Sequence, residues 1–142
     1  MNKIFKIRFV FFISVLLVIS GCRKFDDILV LIEQGEVGFT LSDADLEGGQ
    51  KYILYDIAVT NLACDKDCVM WEMVRKPEGA KVVNENILRF PVRYGVILKN
   101  MQNNRYKKLT KGYFSVVATI AVIEGGEIAT SRMVHKEFEI RE

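Results

Sequence analysis

Two short stretches of this chain place chemically able side chains at suggestive spacings, and one histidine stands alone. Asp43-Ala44-Asp45-Leu46-Glu47-Gly48 has acids at its first, third and fifth positions and glycine at its sixth, the opening of a calcium-binding loop. Such a loop closes on a bidentate Glu at its twelfth position. This chain has Leu54 there, so a solvated polar turn is expected instead. Cys64 and Cys68 sit three residues apart in Ala63-Cys64-Asp65-Lys66-Asp67-Cys68-Val69, a spacing open to a metal or a disulfide. A structural zinc wants four nitrogen or sulfur ligands. His135 is the only histidine, so no metal site is expected. Alternation puts Val134 and Phe138 on one face of their segment and His135, Glu137 and Glu139 on the other, which predicts a solvent-facing imidazole beside carboxylates. No motif places a Ser or Cys nucleophile near it, and no spacing singles out a carboxylate pair. The residues therefore argue against an enzyme, and no cofactor is implied.

The third cysteine has a different setting. Lys3, Lys6 and Arg8 precede an apolar run from Phe9 to Ile19, interrupted only by Ser14. Its 11 residues suit a secretory leader and fall short of the about 20 that a spanning helix needs. The run closes as Leu16-Leu17-Val18-Ile19-Ser20-Gly21-Cys22, with two small residues before the cysteine. This arrangement resembles the signal peptide and lipobox of bacterial lipoproteins. The resemblance implies removal of residues 1–21 and a diacylglycerol thioether on Cys22, usually with an N-acyl chain such as palmitate. Two or more chains anchor stably where one is marginal. In such lipoproteins an Asp after the cysteine tends to keep the protein in the inner membrane. Arg23 in that place implies the outer membrane, inner leaflet, facing the periplasm. In that oxidising compartment Cys64 and Cys68 are expected to form a disulfide. Loss of Lys3, Lys6 and Arg8 moves the net charge from +2 to −1.

What remains is a short lipidated tether, 22–27, and one domain of ordinary size, 28–142. Strand signals dominate it. Ile28–Ile32 and Val37–Leu41 flank the turn at Gln34-Gly35-Glu36, and a polar loop runs from Ser42 to Gly49. Tyr52 to Ala63 alternates, with Ile53, Tyr55, Ile57 and Val59 expected on one face and Asp56 and Thr60 on the other. Val69 to Val74 follows, so Cys64 to Cys68 reads as a hairpin tip. Asn86–Phe90 and Val92–Leu98 are weaker strand candidates around Pro91, and Lys99 to Tyr106 reads as a polar loop. Tyr113 to Ile123 is the strongest strand, with Phe114, Val116, Ala118, Ile120 and Val122 on one face. Gly125-Gly126 signals a hairpin into Ile128–Arg132 and Val134–Ile140. Helical periodicity is missing. These elements predict an all-β fold, an antiparallel β-sandwich of about seven strands. Leu109-Thr110-Lys111-Gly112-Tyr113-Phe114-Ser115-Val116 resembles the Leu-x-x-Gly-x-aromatic-x-Val start of a late strand in bacterial immunoglobulin-like domains, which makes that sandwich immunoglobulin-like.

Charge is polarised along the chain. From Asn86 to Ile123 there is no acid but there are seven cations: Arg89, Arg93, Lys99, Arg105, Lys107, Lys108 and Lys111. Folding either sets these against acids of neighbouring strands or gathers them into a patch that steers an acidic partner. Nucleic acid is not an expected partner in the periplasm.

Gly49-Gln50-Lys51-Tyr52-Ile53-Leu54-Tyr55, Cys68-Val69-Met70-Trp71-Glu72-Met73, Phe90-Pro91-Val92-Arg93-Tyr94-Gly95 and Tyr106-Lys107-Lys108-Leu109, taken with the lipobox, resemble a family of small periplasmic lipoproteins described as type VI secretion immunity proteins. That resemblance implies a membrane-anchored protein that binds and neutralises a toxin delivered to the periplasm. A docking platform in a secretion or envelope assembly is the alternative.

Overall fold

The computed structural model describes residues 26–76 and 87–141. Cys22 and most of the tether lie outside them. Among the described residues the elements are β1 (Asp26–Asp27), β2 (Leu29–Glu33), β3 (Glu36–Thr40), α1 (Asp43–Glu47), β4 (Lys51–Asn61), β5 (Val69–Arg75), β6 (Val92–Arg93), β7 (Met101–Tyr106), β8 (Gly112–Glu124) and β9 (Glu127–Ile140). They build two sheets, one ordered β1-β9-β8-β4-β5-β7 and the other β2-β3-β6. All pairings are antiparallel except β1, which runs parallel to β9 through Asp26 opposite Val134. The sheets pack face to face, as an all-β sandwich requires. Its central order is immunoglobulin-like: β9-β8-β4-β5 takes the place of strands G, F, C and C′, and β2-β3-β6 that of A, B and E. β7, added beyond β5, is the departure.

The core lies between the sheets. Phe39 and Leu41 come from the small sheet, and Trp71, Met73, Phe114, Val116 and Val134 from the large one, all buried. Phe114, Val116, Ala118, Ile120 and Val122 all face inward from β8, as their period-two spacing requires. Leu109 plugs the sandwich end against this core. The Gly125-Gly126 turn takes φ of 60° and 86°, which fits a tight hairpin and is open to glycine at no steric cost.

Six expectations change. The single-face reading of Ile53, Tyr55, Ile57 and Val59 fails, because the β4–β8 register shifts between Leu54 and Asp56. Tyr55 is the extra residue of a bulge, so Tyr52 and Leu54 join Ile57 and Val59 inside, while Ile53 and Tyr55 go to the opposite face. Lys99–Tyr106 is not wholly loop, since Met101–Tyr106 is the edge strand β7. An edge strand needs one ladder and one buried anchor, here Met101, and tolerates the polar Gln102, Asn103, Asn104 and Arg105. Residues 87–90 are irregular and Val92–Leu98 shrinks to the two residues of β6. The chain there turns at Gly95, whose φ is 78°. The polar loop after Ser42 contains the helical turn α1. The two last candidate strands are one, β9, and the chain joins the sheet at Asp26, inside the segment read as tether.

Candidate functional site

A cleft of about 650 Å³ opens at one end of the sandwich. The β2–β3 turn supplies Gln34 and Glu36, the loop after β6 supplies Arg93, Tyr94 and Val96, β7 and its exit supply Tyr106, Lys108 and Leu109, and β9 ends in it with Ile140 and Arg141. A row of rings leads from the core into its wall. Phe114 meets Phe138 at 5.6 Å, Phe138 meets Phe39 at 5.9 Å, and Phe39 meets Trp71 at 6.3 Å. Trp71 then meets Tyr94 at 5.1 Å, and Tyr94 meets Tyr106 at 5.7 Å. Tyr106 is the last ring and is 54% exposed. It lies over Gly95, where a Cβ would come within 2.6 Å of the tyrosine ring.

Backbone and side-chain bonds fix this wall. Tyr94 donates its amide to Val37 O (2.8 Å) and its hydroxyl to Lys107 O (2.6 Å). Burial, with the neighbouring Tyr106 adding to it, holds the Tyr94 hydroxyl protonated far above the ordinary tyrosine range. The Lys107 amide bonds Met70 O at 2.7 Å. Lys107 Nζ reaches both the carbonyl (2.8 Å) and the carboxylate (2.9 Å) of Asp67, and Arg105 pairs with the same carboxylate. Asp67 belongs to the β4–β5 connection, which the disulfide between Cys64 and Cys68 pinches to a Cα separation of 5.4 Å. The cysteine loop thus grips both neighbours of Tyr106.

The seven cations of the basic segment do not gather into one patch. Arg93 pairs with Glu36 at 2.9 Å, and Arg105 and Lys107 are held by Asp67. Lys108 faces the cleft with Arg93. Arg89 and Lys99 line a separate pocket at the other end, and Lys111 is exposed just before β8. Arg141, which sequence reading passed over, adds a further cation to the cleft and bonds Glu139 at 2.6 Å. Tyr94 and Tyr106 were also unassigned, although both stand in the segments that carry the family resemblance.

The calcium-like segment is differently employed. The Asp45 carboxylate accepts from Ser42 Oγ at 2.6 Å and faces Arg132 at 3.3 Å. Among the described residues no three His, Cys, Asp or Glu side chains cluster to hold a metal ion. His135 is half-buried on β9 beside Val134, which is in the core. Comparison with protein-family models, curated proteins and solved structures finds no match to this chain.

Among the described residues the cleft combines a pre-set aromatic wall with Arg93, Lys108 and Arg141 against one acid, Glu36. Such a surface suits a projecting segment that brings an apolar anchor and negative charge.

Proposed function

We propose that the protein is a lipid-anchored periplasmic binding module of the immunity type, which captures a toxin delivered to the periplasm through the cleft at the end of the sandwich. The observation that carries this reading is the meeting of two distant segments, Phe90–Gly95 and Tyr106–Leu109, in one braced wall with an exposed tyrosine at its tip. Aromatic residues on rigid support are the usual anchors of tight protein interfaces.

Strand direction adds support. β1 runs parallel to β9 from Val134, and β9 continues for six residues to Ile140 at the cleft, about 20 Å at strand rise. A lipid on Cys22 lies four residues before Asp26, a reach of at most about 14 Å. In this reading Asp26 is held within that reach of the membrane, and the cleft lies about 20 Å along β9 from it.

The test is calorimetric titration with the toxin encoded beside this gene. Tyr106→Ala should weaken a one-to-one complex by about 2 kcal/mol, roughly thirtyfold, with an unchanged circular dichroism spectrum. Cells lacking the protein should be killed by their siblings. Full resistance combined with lost secretion would instead assign the protein to the assembly itself.

A further inference from the structure

A second pocket, of about 200 Å³, lies at the end of the sandwich opposite the cleft and shares no lining residue with it. Its apolar wall is Leu88, Leu98 and Met101. Three cations, Arg75, Arg89 and Lys99, stand around it, and no carboxylate is among the described residues that line it. Arg75 is the most constrained of the three. Its Nε and Nη2 both donate to Leu54 O, at 2.9 and 2.7 Å, and its guanidinium lies 5.7 Å from the Tyr55 ring centre. The Tyr55 bulge is what turns these groups together. Burial depresses the Arg75 pKa, with the neighbouring Tyr55 acting in the opposite direction.

The walls are pre-formed. Leu88 donates its amide to Tyr52 O at 2.7 Å, Met101 to Leu98 O at 3.1 Å, and Lys76 to Asn100 O at 3.0 Å. The position follows from register. Leu54 lies opposite Ile120, and Ile120 opposite Arg132, which precedes the β1 partner Val134 by two residues.

Apolar walls ringed by cations, with no carboxylate among the described lining residues, suit an anion that carries a hydrocarbon chain. We infer that this pocket binds a single-chain anionic amphiphile, its head group held by Arg75, Arg89 and Lys99 and its first methylenes against Leu88, Leu98 and Met101. The volume is below the usual range for drug-sized ligands, so one narrow chain is accommodated rather than a paired one. The same chemistry is offered by a free acid and by an anionic lipid of the adjoining membrane, and the latter source rests on the anchoring reading above.

The experiment uses the mature protein in a neutral maltoside detergent, titrated with octyl phosphate, octanoate, octylammonium and octyl glucoside and followed by amide chemical shifts. Saturable shifts with the two anions only, centred on Leu88, Leu98 and Met101, are expected. Arg89→Glu combined with Lys99→Glu, both exposed positions, should weaken that binding at least about tenfold, while Lys66→Glu on the cysteine loop leaves it unchanged. Equal binding of octyl glucoside or octylammonium, or no loss in the double variant, would overturn the inference. Flotation with phosphatidylglycerol vesicles but not phosphatidylcholine vesicles, lost in the double variant, identifies the membrane as the source; anion binding without such flotation identifies the free acid. Mass spectrometry of the mature N-terminus tests the lipid on Cys22 separately.

Discussion

Asp45 closes the cap of α1 through one contact and ties it to the large sheet through two. Its carboxylate accepts from Ser42 Oγ and faces Arg132, and its carbonyl accepts from Tyr52 Oη at 3.2 Å. Arg132 also lies over the Tyr52 ring, 5.6 Å from its centre. The acid at the third position of the calcium-like pattern is thus the partner of a helix cap, with Ser42 and Asp45 in capping-box spacing. The Ser42 bond, opposed by desolvation and aided by Arg132, holds the Asp45 carboxyl below its ordinary value of 3.8. A lowered folded pKa gives stability that is complete above the ordinary value and is lost as pH falls through the folded one. Asp45→Asn should therefore flatten the acid limb of a stability–pH profile measured by urea unfolding below about pH 4, and a profile parallel to that of the parent protein would refute this. Ser42→Ala should cost about 1 kcal/mol at neutral pH in the same measurement.

The β4–β5 hairpin is the element that carries the cleft's geometry. Its tip is closed by Cys64 and Cys68, and Asp67 within it holds Arg105 and Lys107 on the neighbouring β7 exit. Replacing both cysteines by serine should lower stability by about 2 kcal/mol, from the entropy of so short a loop. It should also loosen Tyr106, seen as reduced amide protection from β7 onward to Lys107; unchanged protection there would separate the disulfide from the site. Much of this hairpin was legible, because Trp71 and Met73 alternate cleanly and the cysteine spacing marks the tip. β8 was equally plain, since a strand with one buried face writes its period in the sequence. The Tyr55 bulge was not, because an inserted residue looks like continued alternation until the partner strand fixes the register. β7 escaped because a polar edge strand has no apolar period beyond Met101. The cleft was the least legible feature. Tyr94, Tyr106 and Arg141 come from segments brought together only by the strand order, and single-residue chemistry does not mark them; Arg93 was marked only as one of seven cations.

At the scale of the whole molecule, folding converts a basic segment into two separated groups of cations, one at each end. Arg93, Arg105 and Lys107 have their charges met by Glu36 and Asp67, so their long-range field is largely cancelled. Among the described cleft cations Arg141 is offset by Glu139, which leaves Lys108 as the charge that would steer the proposed acidic partner. Lys107 and Lys108 are adjacent in sequence yet have different duties. Lys108→Glu removes and reverses the steering charge at the cleft mouth without touching the wall. It should slow association several-fold at low ionic strength and progressively less as salt shortens the Debye length to about 8 Å, with little change in dissociation. Lys107→Glu sets like charge against Asp67 and releases the grip on the Tyr106 strand. It should act mainly by speeding dissociation, and added salt should restore little of the loss. Stopped-flow association and dissociation rates with the proposed toxin partner, taken across a salt series, distinguish the two. Identical salt slopes for both variants would show that the partner approaches by another surface.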